Sequence, residues 1–212
     1  ANKPYVYSKK CSRLSKEERQ SKLDQKIPYT IRFKMPEKVI KFNDLIRGEI
    51  EFDTSLISDF VIIKSDGTPS YNFSVVIDDW KMAITHVVRG EDHISNTPRQ
   101  IAVFEALGAT LPEFAHLPMI LGPDKAKLSK RHGATSIIEY RDQGFLPKAF
   151  FNYLMLLGWS PGDNQEILPI DEVIKRFDFS QIGKGGAVFD IKKLTWMNGQ
   201  YIRKCTPEEL SD

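Results

Sequence analysis

Cysteine is scarce in this chain, which has only Cys11 and Cys205 among its 212 residues, with no CxxC or Cys/His pair. This spacing excludes a disulfide framework and a zinc knot, and it suits a reducing compartment. Long apolar runs are also missing, since none approaches the roughly 20 residues that span a bilayer. The first residues lack the apolar core of a secretory signal. We therefore expect a globular, cytoplasmic protein with no contact to a membrane.

A large excess of one charge is absent as well, because 30 basic residues stand against 28 acidic ones. Hydrophobic residues make up 41% and charged residues 27% of the chain, which excludes wholesale disorder and a fibrous repeat. The charge is nevertheless uneven. Residues 1–41 contain 12 basic and 4 acidic residues, whereas residues 42–123 contain 5 and 12. A basic front segment suggests contact with a polyanion at one end, although a solvated basic surface has the same composition.

The pattern of residues 29–64 predicts a small β-rich unit. Residues 29–35 alternate apolar and polar side chains, as a half-buried strand does, and Pro36 ends the run. Two further strands are predicted at residues 39–42 and 48–52, on either side of a turn at Asn43-Asp44. Residues 60–64 form a fourth, more apolar strand. The polar segment before this unit, from Lys9 to Lys26, predicts a short surface helix and a loop.

After Ser70 the pattern becomes mixed α/β. Residues 71–80 fit either a strand or a helix by their apolar positions. A strand over residues 84–89, a helix capped by Ser95 and ending at Gly108, and a strand over residues 114–121 follow in β–α–β order. That order requires a parallel pair in a doubly wound sheet. Three more helices are predicted, at residues 136–143, 147–157 and 170–177.

The loop from Asp124 to Gly133 contains four cations in seven residues. It follows a predicted parallel strand and precedes a helix, which is where ligands bind in α/β sheets. Such a loop can surround a phosphate chain and stabilise the charge that develops on it; a solvated basic loop is the alternative. Gly183-Lys184-Gly185-Gly186 lacks the spacing of a phosphate-binding loop and predicts a turn.

A second polar cluster, Arg89-Gly90-Glu91-Asp92-His93, ends the strand over residues 84–89. Arg89 can pair with a substrate carboxylate through two hydrogen bonds, and Asp92 can accept hydrogen bonds from ribose or amine groups. A surface ion-pair cluster is an equally good interpretation of the pattern. His116, inside an apolar strand, indicates a satisfied buried histidine.

These residues also carry a resemblance. Lys127-Leu128-Ser129-Lys130-Arg131 resembles the KMSKS signature of class I aminoacyl-tRNA synthetases. Five other stretches are very similar to the bacterial-type glutamyl-tRNA synthetases: residues 29–34, 69–80, 84–100, 187–190 and 196–198. On these motifs the chain is identified as a member of that family.

The resemblance implies an α/β fold, namely the second half of a doubly wound class I synthetase catalytic domain. Residues 1–68 would form part of a β-rich insertion that binds the tRNA acceptor stem. Residues 69–145 would form the second half of the Rossmann-type domain with its KMSKS-like loop, and residues 146–212 a helical stem-contact region. The family's HIGH motif and anticodon-binding region have no counterpart here, so we expect an internal portion of such an enzyme.

The activity implied by the resemblance is ligation of L-glutamate to its tRNA through a glutamyl-adenylate, with ATP as the Mg²⁺-bound substrate. The partners would be glutamate tRNA, L-glutamate and ATP, and the protein would be a monomer. The implied catalytic residues are Lys130, Lys127 and Arg131. ATP would be bound by Lys130, Asp92, Ser129 and Leu128. Glutamate would be bound by Tyr71, Asn72, Phe73, Ser74, Val75 and Arg89. The basic residues placed on the tRNA stem are Lys9, Lys10, Arg13, Lys16 and Arg19.

Some members of the family carry zinc in the stem-binding region. Cys11 matches one ligand position, but Arg13 stands where a histidine would be required, so we expect no zinc. Two other functions remain open. One is the truncated glutamyl-queuosine enzyme, which modifies a tRNA; the other is a non-catalytic tRNA-binding module derived from a synthetase.

Overall fold

The computed structural model describes residues 7–129, 131, 133 and 136–210. Its α-helices are α1 (Lys16–Asp24), α2 (Tyr71–Lys81), α3 (Thr97–Leu107), α4 (Ile137–Asp142), α5 (Pro147–Leu156), α6 (Ile170–Arg176) and α7 (Ile191–Ile202). Its strands are β1 (Ile31–Phe33), β2 (Val39–Asp44), β3 (Gly48–Asp53), β4 (Phe60–Ile63), β5 (His86–Gly90), β6 (Glu113–Leu117), β7 (Ile120–Leu121) and β8 (Ala187–Val188). No helix in these ranges is long and apolar enough to cross a membrane.

The strands belong to three sheets. The largest has the order β3-β2-β6-β5, in which β2 and β6 run parallel with Asp44 opposite Phe114. Strands β1 and β4 pair antiparallel, and β7 pairs parallel with β8. The four strands predicted within residues 29–64 are present and divide between two sheets, because β1 pairs with β4 whereas β2 and β3 belong to the four-stranded sheet. Ile40 of β2 is 2% exposed, and it packs with residues of α3 and β6 rather than only with its sequence neighbours.

The chain divides into two compact units. The first comprises the residues up to Asp44 together with Glu49–Val87 and His93–Phe114, and the second comprises Leu45–Gly48, Val88–Asp92 and the chain from Ala115 onward. The three-part division at residues 68 and 145 stays a prediction.

In the first unit, the ambiguous residues 71–80 form a helix. Val76 of α2 is fully buried against Val103 and Phe104 of α3, which have exposures of 1% each. The apolar positions of this segment fit both periods, and packing against α3 selects the helical one. Helix α3 begins at Thr97 after a 3-10 helix over Glu91–Asn96, so Asn96 rather than Ser95 precedes it.

In the second unit, two apolar clusters form the core. Trp159 and Leu168 pack with Ala115 of β6 in one cluster. In the other, Tyr153 of α5 packs with Leu194 and Met197 of α7, a helix for which the sequence pattern gave no boundaries. The Tyr153 hydroxyl accepts a hydrogen bond from the Asp190 amide (2.6 Å), and burial raises the pKa of this hydroxyl to about 12.

Two further predicted boundaries are wrong. The turn between β2 and β3 consists of Leu45-Ile46-Arg47, because Asn43 and Asp44 continue β2. The strand predicted over residues 114–121 is interrupted at residues 118 and 119. Its second part, β7, pairs with β8 and lies outside the four-stranded sheet, so the cation-rich loop follows the two-stranded sheet.

Candidate functional site

The end of β5 is shaped by Gly90. A Cβ atom at this position would lie 2.6 Å from Oδ1 of Asp92, which is closer than atoms of this kind approach. The φ angle of Gly90 is not positive, so what a side chain here would displace is the Asp92 carboxylate, and the backbone conformation imposes no restriction. The absent side chain thus lets the Asp92 carboxylate fold back over the strand end.

Arg89 precedes this glycine and contacts a buried histidine. Its Nε donates a hydrogen bond to Nε2 of His116 at 3.2 Å, and His116 is fully buried in β6. A ring nitrogen that accepts a hydrogen bond carries no proton, so His116 is neutral with its proton on Nδ1. The prediction of a satisfied buried histidine is confirmed, and the histidine is bonded to a predicted glutamate-binding residue.

A partly buried ion pair that the sequence analysis did not single out lies beside Arg89. Nη2 of Arg47 is 2.5 Å from Oε2 of Glu91, and the two side chains are 19% and 28% exposed. The other carboxylate oxygen of Glu91 accepts a hydrogen bond from the Met119 amide (3.0 Å), and Nε of Arg47 donates to the His116 carbonyl (3.3 Å). The partners are 28 or more residues apart, and no local pattern relates them.

The first part of the cation-rich loop, residues 124–128, folds back on β7. The Gly122 amide donates to the Ala126 carbonyl (2.8 Å), and the Leu128 amide donates to the Ile120 carbonyl (2.9 Å). Lys125 closes this turn in the left-handed conformation, with a φ of 59°. The loop therefore starts as a short hairpin that places Lys127 opposite Leu121.

Two cations of this loop pair with carboxylates. Nζ of Lys127 lies 2.7 Å from Oδ2 of Asp92, and Nη2 of Arg131 lies 3.2 Å from Oδ2 of Asp124. The first contact joins a predicted catalytic residue to a predicted ATP-binding residue within the second unit. Leu128 and Ser129 are half-buried, and the principal predicted catalytic residue, Lys130, lies outside the described residues.

The predicted glutamate-binding residues 71–75 form the first turn of α2, in the first unit. The Tyr71 hydroxyl is 3.1 Å from Nδ1 of His93, and Oδ1 of Asn72 accepts from Nε2 of Gln100 at 3.1 Å. Phe73 and Val75 pack against the apolar cluster around Val76, and Ser74 donates to backbone carbonyls of its own turn. In a helix these five side chains point in different directions, so they do not share one face as alternate strand residues would.

The basic segment at the start of the first unit consists of a 3-10 helix, Lys10–Arg13, and α1. A capping box of Ser15 and Glu18 starts α1. Lys9 is 3.7 Å from Glu37, and Arg19 donates twice to the Leu14 carbonyl. The other three predicted tRNA-binding residues are Lys10, Arg13 and Lys16. Their side chains have no hydrogen bond or ion pair within the described part of the chain. All three are exposed.

Each unit contains a cavity. The one in the first unit has a volume of about 530 Å³ and is lined by residues 34–37 and Lys9, a predicted tRNA-binding residue. The one in the second unit, about 140 Å³, is lined by residues of α5, β8 and α7, and by Asp190. None of the residues predicted to bind glutamate or ATP lines either cavity. Among the described residues, no cluster of three or more His, Cys, Asp or Glu side chains could hold a metal ion.

Comparison with known proteins gives a consistent result. The chain is 55% identical over 202 residues to the glutamate–tRNA ligase of Sulfurihydrogenibium sp. (strain YO3AOP1), with 95% of this chain and 42% of the relative covered. It is 50% identical over 210 residues to glutamate–tRNA ligase 1 of Caldanaerobacter subterraneus subsp. tengcongensis, with 99% and 44% covered. The chain thus spans less than half the length of these relatives.

Solved structures agree. A glutamate tRNA ligase from Elizabethkingia meningosepticum CCUG26117, crystallised in complex with its amino acid, matches with a TM-score of 0.89 and 41% identity. The match covers 97% of this chain and 46% of that one. The predicted class I synthetase fold is therefore confirmed. Residues 1–196 match the family model of class I tRNA synthetases (E and Q), catalytic domain, and the chain belongs to this family.

Proposed function

We propose that the longer protein containing this chain ligates L-glutamate to its tRNA in an ATP-dependent reaction, and that this chain supplies part of the active site. The family and the names of its relatives support the reaction class. The observation that carries the proposal is the contact of 2.7 Å between Lys127 and Asp92. It joins the KMSKS-like loop to the end of β5, so the residues proposed for phosphate chemistry and for ATP binding meet in one place.

The proposed chemistry has two steps. An oxygen of the glutamate α-carboxylate attacks the α-phosphorus of ATP, and pyrophosphate leaves, giving glutamyl-adenylate. A hydroxyl of the tRNA 3′-terminal ribose then attacks the acyl carbon of the adenylate, and AMP leaves. In the first step Lys130, Lys127 and Arg131 stabilise the charge that develops on the leaving pyrophosphate, because positioned cations act most strongly where charge forms. ATP enters as its Mg²⁺ complex, and Asp92, Leu128 and Ser129 bind the nucleotide.

The glutamate side chain would be bound by Arg89. A guanidinium offers two parallel N–H donors that match the two oxygens of a carboxylate, and this geometry discriminates against a neutral amide. The residues proposed to complete the amino-acid site lie in the first turn of α2: Tyr71, Asn72, Phe73, Ser74 and Val75.

The tRNA acceptor stem would lie along the basic segment of the first unit. In a 3-10 helix side chains three residues apart stack on one face, so Lys10 and Arg13 form a pair of exposed cations. Lys16 follows in α1, and Lys9 and Arg19 flank these three. Such contacts give affinity without base identity. The division into an insertion, a half catalytic domain and a stem-contact region belongs to the same proposal, as do the monomeric state and the cytoplasmic location.

The experiment is a charging assay with the full-length protein, radioactive glutamate, ATP and an in vitro transcript of glutamate tRNA. A transcript has no modified bases, so incorporation of glutamate shows ligation to the 3′ end rather than to queuosine. The 212-residue chain alone is expected to form no glutamyl-tRNA, because catalysis requires all the positioned groups together. Absence of incorporation by the full-length protein would favour the tRNA-binding module instead. Incorporation only into queuosine-containing tRNA would favour the modifying enzyme.

A further inference from the structure

Nε of Arg89 donates a hydrogen bond to Nε2 of His116, and nothing in the resemblance assigns His116 a role. It comes from β6, whereas Arg89 comes from the end of β5. We propose that His116 is a positioning residue, which orients Arg89 so that the two terminal nitrogens of the guanidinium receive the side-chain carboxylate of glutamate. This inference rests on the proposed function, because it specifies how the proposed glutamate-binding arginine is held.

The argument starts from the donors of arginine. A guanidinium has five N–H bonds in one plane, one on Nε and two on each terminal nitrogen. A carboxylate can bind in two parallel hydrogen bonds either side-on, through Nε and one Nη, or end-on, through both Nη atoms. In this structure Nε donates to Nε2 of His116 at 3.2 Å. His116 thus engages the Nε–H that the side-on mode needs, and end-on binding is the two-point mode that keeps this hydrogen bond.

Burial makes this interaction directional. His116 is fully buried, so its ring has no water to bond with, and neighbouring side chains hold its orientation. The Arg47–Glu91 pair adds a second restraint. Arg47 donates to the backbone carbonyl of His116, and Glu91, two residues after Arg89, accepts from the Met119 amide, three residues after His116. The strand end that carries Arg89 is thus also joined to the chain at the His116 carbonyl and at Met119, through the Arg47–Glu91 pair.

The test compares three variants in the full-length protein by steady-state kinetics of glutamyl-tRNA formation. His116→Phe keeps a ring but removes the acceptor, and we expect the KM for glutamate to rise about tenfold, which corresponds to about 1.4 kcal/mol. His116→Gln places an amide oxygen near the position of Nε2, so its KM should return to within about threefold of the wild type. His116→Asn, whose amide is too short to reach, should behave like His116→Phe. The KM values for ATP and tRNA should not change.

A double-variant comparison separates positioning from general packing. In the Arg89→Ala background, His116→Phe should cause no further increase in the KM for glutamate, because the residue through which it acts is gone. His86→Phe, an exposed histidine at the start of β5, is the matched control and should leave all constants unchanged.

Other outcomes overturn specific parts. If His116→Phe raises the KM for glutamate equally with and without Arg89, or lowers kcat and every KM alike, His116 is only a core residue. If His116→Gln and His116→Asn behave alike and both remain folded by circular dichroism, the acceptor has no role, even when His116→Phe unfolds the protein. If Arg89→Ala alone leaves the KM for glutamate unchanged while the wild type charges tRNA, Arg89 is not the carboxylate site. If the wild type forms no glutamyl-tRNA, the proposed function itself fails.

Discussion

Replacing Gly90 by alanine isolates the placement of Asp92. The φ angle of Gly90 suits any residue, so the substitution adds no backbone strain, and its only effect is one methyl group. That methyl carbon would lie 2.6 Å from Oδ1 of Asp92. The Asp92 carboxylate must move, and with it the contact that its other oxygen makes to Lys127.

The expected loss of activity in Gly90→Ala follows from the distance of 2.6 Å between the added methyl carbon and Oδ1 of Asp92. An ordinary contact between such atoms begins at about 3.4 Å, so the carboxylate has to shift by about 0.8 Å. A misplacement of about 1 Å in an active site can cost about 10²-fold in rate. Stability should hardly change, because an ion pair this exposed contributes at most about 1 kcal/mol. We therefore expect kcat/KM for ATP to fall between about 10- and 100-fold in Gly90→Ala, with the thermal unfolding temperature almost unchanged.

The assay is glutamyl-tRNA formation by the full-length protein at varied ATP concentration. Gly158→Ala is the matched control, since Gly158 also has an ordinary φ and a Cβ there would meet no atom within 4 Å. An unaltered kcat/KM for ATP in Gly90→Ala, with the protein folded, would refute the placement of Asp92 at the nucleotide.

Three further predictions concern other parts of the chain. Lys130→Ala should lower kcat for glutamyl-tRNA formation by about 10²–10³-fold with little change in the KM for glutamate, because it removes a donor to developing charge; an unchanged kcat would mean that the loop is a solvated turn. Replacing Lys9, Lys10 and Arg13 by alanine should weaken tRNA binding. Filter binding at several salt concentrations should also show a flatter salt dependence, by roughly 0.7–0.9 log units of affinity per lost contact per decade of salt. The buried Tyr153 hydroxyl should make the second unit alkali-sensitive, because its pKa is raised from 10.0 to about 12 and folding therefore favours its neutral form. This contribution to the free energy of unfolding, about 2.7 kcal/mol, is fully present below pH 10 and is lost as the pH rises through about 12. Denaturant unfolding at pH 8 and pH 11 should show about half of this loss, about 1.4 kcal/mol, and Tyr153→Phe should be less pH-dependent than the wild type.

Much of the fold was predictable because local patterns survive packing. The four strands of residues 31–63 and helices α3 to α6 lie where periodicity and turn residues indicate them. Pairing was not predictable, since β2 pairs with β6, a strand distant from it in sequence. The helical state of residues 71–81 also depends on a partner, because only packing against α3 distinguishes the two periods that its apolar residues fit.

In the candidate site, too, the residue types could be predicted from the sequence, whereas their long-range contacts could not. The residue types at the end of β5 and in the KMSKS-like loop were evident from the sequence, and the structure joins them through Lys127 and Asp92. The support beneath them was not evident. Arg47 lies in an ordinary turn, and its pairing with Glu91 is visible only after the chain folds. His116 was recognised as buried, but its bond to Arg89 has no local signature, because no spacing relates residues on two different strands.

The pairing of β7 with β8 has a consequence for the order of folding during synthesis. The strand immediately before the KMSKS-like loop, β7, pairs with a strand far along the chain: Ile120 lies opposite Ala187, and Leu121 lies opposite Val188. A nascent chain cannot form this pair until the ribosome has added the whole of α4, α5 and α6, and closing so long a loop is entropically costly. The KMSKS-like loop therefore acquires its base late, after the core around Trp159 has been translated, and a chain truncated before residue 187 should retain a misplaced loop.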